Sequence, residues 1–343
     1  MKCFFLKKIP LFIAFAIFLN SSENIGSSTV ELPPTREQFR ESNRLEKGLT
    51  NKEKTDLKRS HSAVIDFDGQ IAMRHIENLT SFGPRSPEYL RAKLSTLSYI
   101  RSQIPPSMSV QLHEFDANGL NGTNLWVSSR VEKKKSNTLI MIGTHWDTRS
   151  VADRDTDISQ RNMPVLGAND GASGVAVLIE VAKHLHSKPP GVNVDLIFFD
   201  LEDLGNIGNN KYAIGSSKFV KENPKYRPTT GIIIDMVCDR DLRIPREYYS
   251  SVSAPEVLDR VWESAERQDA KVFKNVRGGA VIDDHIPFLQ VGIPVVNLIH
   301  FPFPNTWHTT NDTIKFCRSR SLSQVGRVIL DFIYYYDLNQ TIR

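Results

Sequence analysis

The sequence predicts an α/β fold: a single domain with a twisted, mostly parallel central sheet and helices on both faces. The first observation is that short, fully apolar segments of strand length alternate with longer segments whose apolar residues recur at helical spacing. The second is that these strands are apolar on both sides, as expected where helices cover both faces of a sheet. No internal repeat is visible, and the segment lengths do not fit eight strand–helix units.

The elements follow in order along the chain. Helices are predicted where apolar residues recur three or four positions apart, as Leu90, Leu94, Leu97 and Ile100 do; the predicted helices are 88–103, 172–186, 254–268 and 322–336. Strands are predicted at the short apolar segments 109–115, 124–131, 138–144, 194–199, 231–237 and 293–299. We therefore expect the folded part to begin near Ala63.

Length and composition agree with one large domain. The chain has 343 residues, of which 40% are hydrophobic and 24% charged, as in ordinary globular proteins. The net charge of +4 is too small to indicate nucleic-acid binding, which requires clustered basic residues. The three cysteines, Cys3, Cys238 and Cys317, form no disulfide framework, and Cys238 and Cys317 are either bridged or two buried thiols.

The first residues predict export. Three lysines within the first eight residues precede an apolar stretch over 9–19 and a small polar run over 20–22, the form of a secretory signal. The apolar stretch is shorter than the roughly 20 residues that span a bilayer. We expect 1–22 to be a signal peptide, with an uncleaved anchor as the alternative, and 23–62 to be a polar linker before a catalytic domain over 63–343. The mature protein is expected to be periplasmic or secreted and free of the membrane.

Acidic and imidazole residues collect at the C-terminal ends of the apolar strands, the edge at which open α/β sheets bind ligands. In chain order they are His145, Asp147, Asp170, Asp200, Glu202, Asp203, Asp235, Asp283, Asp284, His285 and His308. Several buried carboxylates at one edge are costly without a cation. Oxygen and imidazole ligands without a thiolate suit Zn²⁺ that keeps an open coordination position.

Single members of this set have simpler interpretations. Asp170 is placed to cap the helix that follows it, Asp200 to anchor a turn, and His285 to be a hydrogen-bonded core histidine. Glu202 lies beside Asp203, so one carboxylate can bind metal while its neighbour acts as acid and base. The combined pattern is far more specific than any one of its members.

Motifs in a fixed order carry a resemblance to a known family. They are HWD at 145–147, GANDGASG at 167–174, FFDLED at 198–203, Asp235 and His308-Thr309. Together they resemble the zinc-dependent aminopeptidase superfamily. Within it, DDHIPF at 283–288 and FPFP at 301–304 followed by Trp307 resemble glutaminyl-peptide cyclotransferases (glutaminyl cyclases), and HWDTR at 145–149 is most similar to bacterial members.

The resemblance implies a single zinc ion held by three ligands: Asp170, Asp203 and His308. In the aminopeptidase relatives, the residues at His145 and Asp235 bind a second metal that Asp170 bridges, so two zinc ions stay open. In the alternative, which the cyclases represent, a single ion is bound, and His145 and Asp147 support its ligands without binding it.

The resemblance also implies roles for the remaining residues. Glu202 would be the proton shuttle, Asp235 would hold the migrating nitrogen, and Asp283 would belong to a hydrogen-bond network beside it. Trp307 would wall the substrate pocket. The implied enzyme is a monomeric transferase that converts the N-terminal Gln of peptides to pyroglutamate and releases ammonia. The alternatives are a zinc aminopeptidase, in which metal-activated water hydrolyses N-terminal peptide bonds, and a binding protein without activity.

Two positions depart from the cyclase pattern. Asn297 stands where cyclases of the animal type have a His, so its hydrogen bond with Asp283 must differ. No Trp follows the Glu-acid pair within 204–217, where Tyr212 is the nearest aromatic residue. The second departure bears on substrate recognition more than on zinc binding.

Overall fold

A computed structural model describes residues 65–129 and 136–341, with side chains up to residue 336. The described residues belong to one compact unit. The predicted signal peptide (1–22) and linker (23–62) lie outside the described residues. Within the described part of the chain, no helix has the length and apolar character needed to cross a membrane.

The centre of the fold is a six-stranded sheet. Its strands are β1 (Ser109–Ala117), β2 (Leu120–Ser128), β3 (Leu139–His145), β4 (Asn193–Phe199), β5 (Thr230–Asp235) and β8 (Val295–Ile299). They lie in the order β1-β2-β4-β3-β5-β8. The four strands from β4 to β8 are parallel, whereas β1 and β2 form an antiparallel hairpin along the β4 edge. Short strands β6 (Ile244–Arg246) and β7 (Phe273–Arg277) form a separate parallel pair.

Helices cover both faces of the sheet. They are α1 (Gly69–Ser81), α2 (Leu90–Gln103), α3 (Ala172–Ser187), α4 (Ile214–Glu222), α5 (Tyr248–Ser253), α6 (Pro255–Arg267), α7 (Ile286–Gln290) and α8 (Ser319–Thr341). Alternate residues of each central strand enter different cores: Leu196 of β4 joins the large core with α1, α3, α6 and α8, and Ile197 joins a smaller core with α4 and α7. This two-sided burial explains the fully apolar strands and confirms the predicted fold.

One predicted strand was misplaced. The segment predicted at 124–131 is β2, which begins at Leu120 and ends at Ser128. Asn118 and Gly119 have positive φ angles of 57° and 81° and form a two-residue turn that pairs Ala117 with Leu120. An Asn-Gly turn of this kind matches the twist of a hairpin, and it starts the strand earlier than the apolar run suggests.

The buried face of α2 also differs from the predicted one. The sequence predicts Leu90 and Leu94 as members of the buried apolar stripe, yet 64% and 57% of their surfaces are exposed. The buried positions include Lys93, Thr96 and Ile100. The helix is therefore where the sequence predicts it, but a lysine lies on its inner face.

Cys238 and Cys317 form a disulfide, which decides between the two alternatives left open by the sequence. Cys238 follows β5 and Cys317 precedes α8, 79 positions later. The neighbouring residue Asp239 forms an isolated β-bridge with Cys317. The loop that leaves β5 is thereby joined to the segment that enters the last helix.

A buried carboxylate fixes the short helix α5. Glu247 accepts the backbone N–H groups of Tyr249 and Ser250 at 2.9 and 2.7 Å and the Ser250 hydroxyl at 2.7 Å. His285 Nε2 lies 3.4 Å from the same carboxylate. The Ser250 Oγ atom in turn accepts the N–H of Asn297 in β8 at 2.9 Å. Glu247 thus joins α5 and β8 to the loop that carries Asp283 and Asp284.

We expect Glu247→Gln to destabilise the protein in a pH-dependent way. Burial alone would raise the pKa of Glu247, but His285 and the N–H donors of α5 lower it from 4.5 to about 2. A lowered carboxyl pKa stabilises the folded state above the unfolded pKa, and this contribution is lost as pH falls towards the folded pKa. The variant should lose roughly 1–3 kcal/mol of unfolding free energy at pH 7, with the difference shrinking between about pH 4.5 and 2.

Urea denaturation at several pH values measures this difference. Glu256→Gln, at an exposed position in the first turn of α6, is the matched control and should change little at any pH. A Glu247→Gln difference that stays constant from pH 7 to pH 3 would contradict the assignment.

Candidate metal centre and active site

The predicted site residues lie together at one end of the sheet. β3 ends at His145, β5 ends at Asp235, and β4 is followed directly by the turn that carries Glu202 and Asp203. Because these three strands are parallel neighbours, their carboxyl ends meet at the same edge. Asp170 reaches this edge from the loop before α3.

Asp170, Asp203 and His308 form a group able to hold a metal ion. All three are buried, and one ligand atom from each lies within 4.8 Å of the other two. His308 Nε2 is 3.0 Å from Asp203 Oδ1 and 3.6 Å from Asp170 Oδ2. Arg149 Nη1 lies 3.5 Å from the same Asp203 oxygen, yet among the described residues neither oxygen of Asp203 has a contact of hydrogen-bond geometry. A buried carboxylate without a hydrogen bond is costly, so this donor set fits a cation.

The donor chemistry of this group suits zinc. Two carboxylates and one imidazole give three protein ligands, the number typical of catalytic zinc sites that keep one position open. The donors come from three separate parts of the chain, the loop before α3, the turn after β4 and the loop after β8. The fold therefore brings them together without any local sequence motif of metal-ligand spacing.

A second group shares Asp170. His145 Nε2 lies 3.1 Å from Asp170 Oδ1 and 3.0 Å from Asp235 Oδ1, and the contact with Asp235 has hydrogen-bond geometry. His145, Asp170 and Asp235 thus form a second buried group able to hold a metal ion, and among the described residues His145 Nδ1 has no hydrogen-bond partner. Burial and the charge of Asp170 raise the pKa of Asp235 to about 8, although His145 opposes the shift.

Two aspartates hold the backbone of the ligand loops. Asp147 accepts the N–H groups of Glu202 and Asp203 at 3.0 and 3.1 Å, and its Oδ1 lies 3.4 Å from His145 Nδ1, so it contacts both the turn and His145. Asp312 accepts the N–H groups of Asn169 and Asp170 at 2.8 and 3.0 Å. Sequence reasoning missed Asp312; its only signal was an acidic residue four positions after His308.

Glu202 is a buried acid beside this group. Burial and the charge of Asp283 raise the pKa of Glu202 well above its ordinary value. Asp283 is itself held by Asn297, whose Nδ2 donates to Asp283 Oδ2 at 2.7 Å. Asn297, which stands where cyclases of the animal type have a His, therefore still donates a hydrogen bond to Asp283, but from an amide.

Aromatic residues form one wall of the site. Trp307 stacks on the His308 ring at a centroid distance of 3.9 Å, and its ring is tilted by 35° against Phe303 at 4.3 Å. The ring of Tyr212 packs directly against Gly205. It leaves no room there for a side chain, because a Cβ atom added to Gly205 would lie 2.1 Å from the ring. Gly205 is two positions beyond Asp203, so Tyr212 stands near the ligand turn.

Three residues of the site have a backbone conformation that side chains disfavour. Leu201, Met236 and His308 have φ angles of 57°, 50° and 55°, in the left-handed region. Each costs roughly 1–2 kcal/mol in a residue other than glycine. They stand directly before Glu202, directly after Asp235 and at a donor itself, so local strain accompanies the placement of these side chains.

The structure also bears on the simpler interpretations of single residues in the predicted set. Asp200 pairs with Lys93 and anchors a turn, which agrees with its simpler interpretation. His285 lies against Glu247. Asp170 does not cap α3 with its side chain. Asp284 is buried, and burial together with Asp283 raises its pKa well above the ordinary value.

The known proteins that are similar to this chain include both aminopeptidases or exopeptidases and glutaminyl cyclases. The chain is 28% identical to aminopeptidase YwaD of Bacillus subtilis over 178 residues, which are 49% of this chain and 37% of that protein. It is similar to the solved structure of Bacteroides thetaiotaomicron glutaminyl cyclase bound to N-acetylhistamine, with 30% identity, a TM-score of 0.72 and coverage of 79% of this chain and 99% of that one.

A Zn-dependent exopeptidase from Parabacteroides distasonis is similar at 29% identity, with a TM-score of 0.72 and coverage of 79% of this chain and 99% of that one. The chain thus spans only about a third of the aminopeptidase but almost all of the two solved structures. Residues 126–333 match the sequence profile of peptidase family M28, which is more than half of the chain. On this match and on the donor groups at the sheet edge, the chain belongs to peptidase family M28.

Proposed function

We propose that this protein is a zinc-dependent glutaminyl-peptide cyclotransferase, which converts the N-terminal Gln of peptides to pyroglutamate and releases ammonia. The observation that carries the proposal is the buried acid Glu202 beside the donor group of Asp170, Asp203 and His308. Next to this group, Asp235 is joined to His145 by a hydrogen bond. Similarity to a glutaminyl cyclase over 99% of its chain supports the proposal.

Asp170, Asp203 and His308 would hold the ion in this proposal. When bound, zinc supplies Lewis-acid polarisation of the γ-amide carbonyl of the substrate. The rest of the chemistry falls to the side chains around it.

The reaction joins two atoms of the same glutamine residue. A bond forms between the α-amine nitrogen and the carbonyl carbon of the side-chain amide (Cδ), and the bond from that carbon to the amide nitrogen breaks. No enzyme nucleophile is needed, so holding the two groups in contact supplies much of the rate. Glu202 takes the proton from the attacking amine and gives it to the departing ammonia. Its raised pKa makes it a stronger base than an exposed carboxylate, as suits a group that takes up a proton and returns it.

The other predicted residues hold the substrate. Asp235, fixed by His145, accepts hydrogen bonds from the reacting nitrogens. Asp283, fixed by Asn297, lies beside Glu202 and contributes to its raised pKa. Trp307 offers a flat apolar wall for the glutamine side chain. Tyr212 is the aromatic residue near the ligand turn on the side that lacks a Trp.

A zinc aminopeptidase is the second candidate, and one observation favours it. Asp170 directs one oxygen to each donor group, Oδ1 towards His145 and Oδ2 towards His308. A carboxylate shared in this way can bridge two ions, and the similarity to aminopeptidase YwaD points in the same direction. In this reading the substrate is a peptide whose N-terminal bond is hydrolysed.

The setting of the enzyme remains a prediction. Residues 1–22 are proposed as a signal peptide and 23–62 as a linker, with 63–343 as the catalytic domain of an exported monomer, periplasmic or secreted.

We expect purified protein to release ammonia from a peptide with N-terminal Gln, in step with formation of the pyroglutamyl peptide. The chelated protein should be inactive, and added zinc should restore activity. A leucyl anilide measures the competing hydrolysis. Release of free leucine without ammonia would favour the aminopeptidase, and the absence of both products would indicate a binding protein.

Glu202→Gln should lower kcat by at least about 100-fold, because the amide cannot shuttle a proton. Its zinc content should equal that of the wild type, since Glu202 is outside the donor group. Glu222→Gln, which loses only a partly exposed contact with His113, is the matched control. Normal turnover in Glu202→Gln would show that another group carries the proton.

Metal analysis should give one zinc ion per chain. Asp203→Asn should abolish zinc binding, whereas His145→Asn should keep the single ion, because His145 is paired with Asp235. Two ions in the wild type that fall to one in His145→Asn would establish the bridged arrangement instead.

A further inference from the structure

A buried ion pair lies behind the turn that carries Glu202 and Asp203. Lys93 Nζ in α2 donates to both carboxylate oxygens of Asp200, at 2.7 and 2.8 Å. Only 8% of the lysine side chain and 1% of the aspartate side chain are exposed. The ammonium also lies 5.0 Å from the centre of the Trp146 ring. The pair belongs to neither donor group.

The remaining contacts of Asp200 fix the backbone around it. Its carboxylate accepts the N–H groups of Leu201 and Thr123, both at 2.9 Å. Its own N–H donates to Asn124 Oδ1 at 2.8 Å. Thr123 in addition accepts the indole N–H of Trp146 through its carbonyl at 3.0 Å. Asp200 is therefore the point at which α2, β2 and the end of β4 are joined.

The turn that follows has the left-handed conformation at Leu201, with a φ of 57°. This conformation directs the N–H groups of Glu202 and Asp203 towards Asp147, which accepts them at 3.0 and 3.1 Å. Asp200 holds the turn at its first residue, and Asp147 holds it at the next two. A disfavoured conformation persists only where the surroundings fix it from several sides.

We propose that the Lys93–Asp200 ion pair is a positioning device that holds the Leu201 turn so that Asp203 faces the metal and Glu202 faces the substrate. Lys93 is a positioning residue, because its ammonium contacts Asp200 and Trp146 and neither Glu202 nor Asp203. The kinetic part of this inference rests on the proposed function, whereas the part that concerns metal binding and the turn does not.

Stability alone is a weak explanation for such a pair. Buried ion pairs often contribute no more to folding than apolar residues of the same size, because both charges lose their hydration. They do impose a defined geometry, and here that geometry is the start of the ligand turn. Groups that orient metal ligands typically change metal affinity or activity by about 10–100-fold when they are removed.

Lys93→Met tests the inference. It should weaken zinc binding, measured by chelator competition, by about 10–100-fold and lower kcat by a similar factor, with KM changing much less. In the metal-free protein, amide hydrogen exchange at residues 201–203 should become faster. Lys93→Arg keeps the charge and should recover much of the zinc affinity.

Lys93→Met leaves the Asp200 charge buried without a partner, so a second variant removes both charges. Lys93→Met/Asp200→Asn should fold and still show weakened zinc binding and faster exchange at 201–203. Arg267→Met is the matched control: it breaks the Arg267–Asp331 pair of 2.7 Å between α6 and α8, and it should lower stability while zinc affinity and exchange at the turn stay unchanged.

Lys93 variants with wild-type zinc affinity, kcat and turn exchange would overturn the inference, whatever their stability. So would the failure of every Lys93 variant to fold, because the pair would then serve the fold rather than the turn. If the wild type binds zinc but does not cyclise glutamine, the proposed function fails, and the zinc-affinity and exchange measurements still decide the role of Lys93.

Discussion

The burial of many carboxylates at one edge of the sheet is the constraint on which the rest of the site depends. Asp170, Asp203, Glu202, Asp235 and Asp283 are all buried there. Like charges in such a place repel and lose their hydration, so each needs its own compensation. Asp235 is hydrogen-bonded to His145, and Asp283 is hydrogen-bonded to Asn297. The pKa of Glu202 is raised, so this carboxylate binds a proton more readily than an exposed one. Within the described chain, Asp203 lies near His308 and Arg149 but has no contact of hydrogen-bond geometry, so the donor group around it fits a cation.

A second layer of aspartates acts on the backbone rather than on the centre. Asp147, Asp200 and Asp312 each accept two backbone N–H groups from the segments that carry or adjoin the donors. Their charge is therefore used to fix loop conformation, including the left-handed residue Leu201. The number of acidic residues at this edge thus exceeds the number that a metal and a substrate need, because part of the set is structural. Asp200 pairs with Lys93, and the charge of the buried Arg85 acts to lower the pKa of Asp312, which limits the repulsion that these two aspartates add.

The sequence predicted what depends on strand periodicity and chain order, and it missed what depends on single polar contacts. Fully apolar strands identified the parallel sheet, and their ends identified the edge where His145 and Asp203 meet. The start of β2 was missed because the Asn118–Gly119 turn, rather than the apolar run, fixes it. Lys93 was missed because a lysine between apolar positions of a helix suggests an exposed face, whereas tertiary contact with Asp200 buries it. Asp312 was missed because its partners are backbone groups of a loop more than 140 positions away.

The difference between the two activities of the family reduces to how Asp170 and His145 are used. Asp170 has one oxygen on each side, so the same carboxylate serves a single ion or bridges two. The deciding contact is then His145–Asp235, at 3.0 Å. In the proposed cyclase, this hydrogen bond would keep Asp235 available as an acceptor for the nitrogens of a substrate beside a single ion. In an aminopeptidase with two ions, Asp235 would instead be a ligand of the second ion. The two candidate functions therefore make competing demands on the same buried pair.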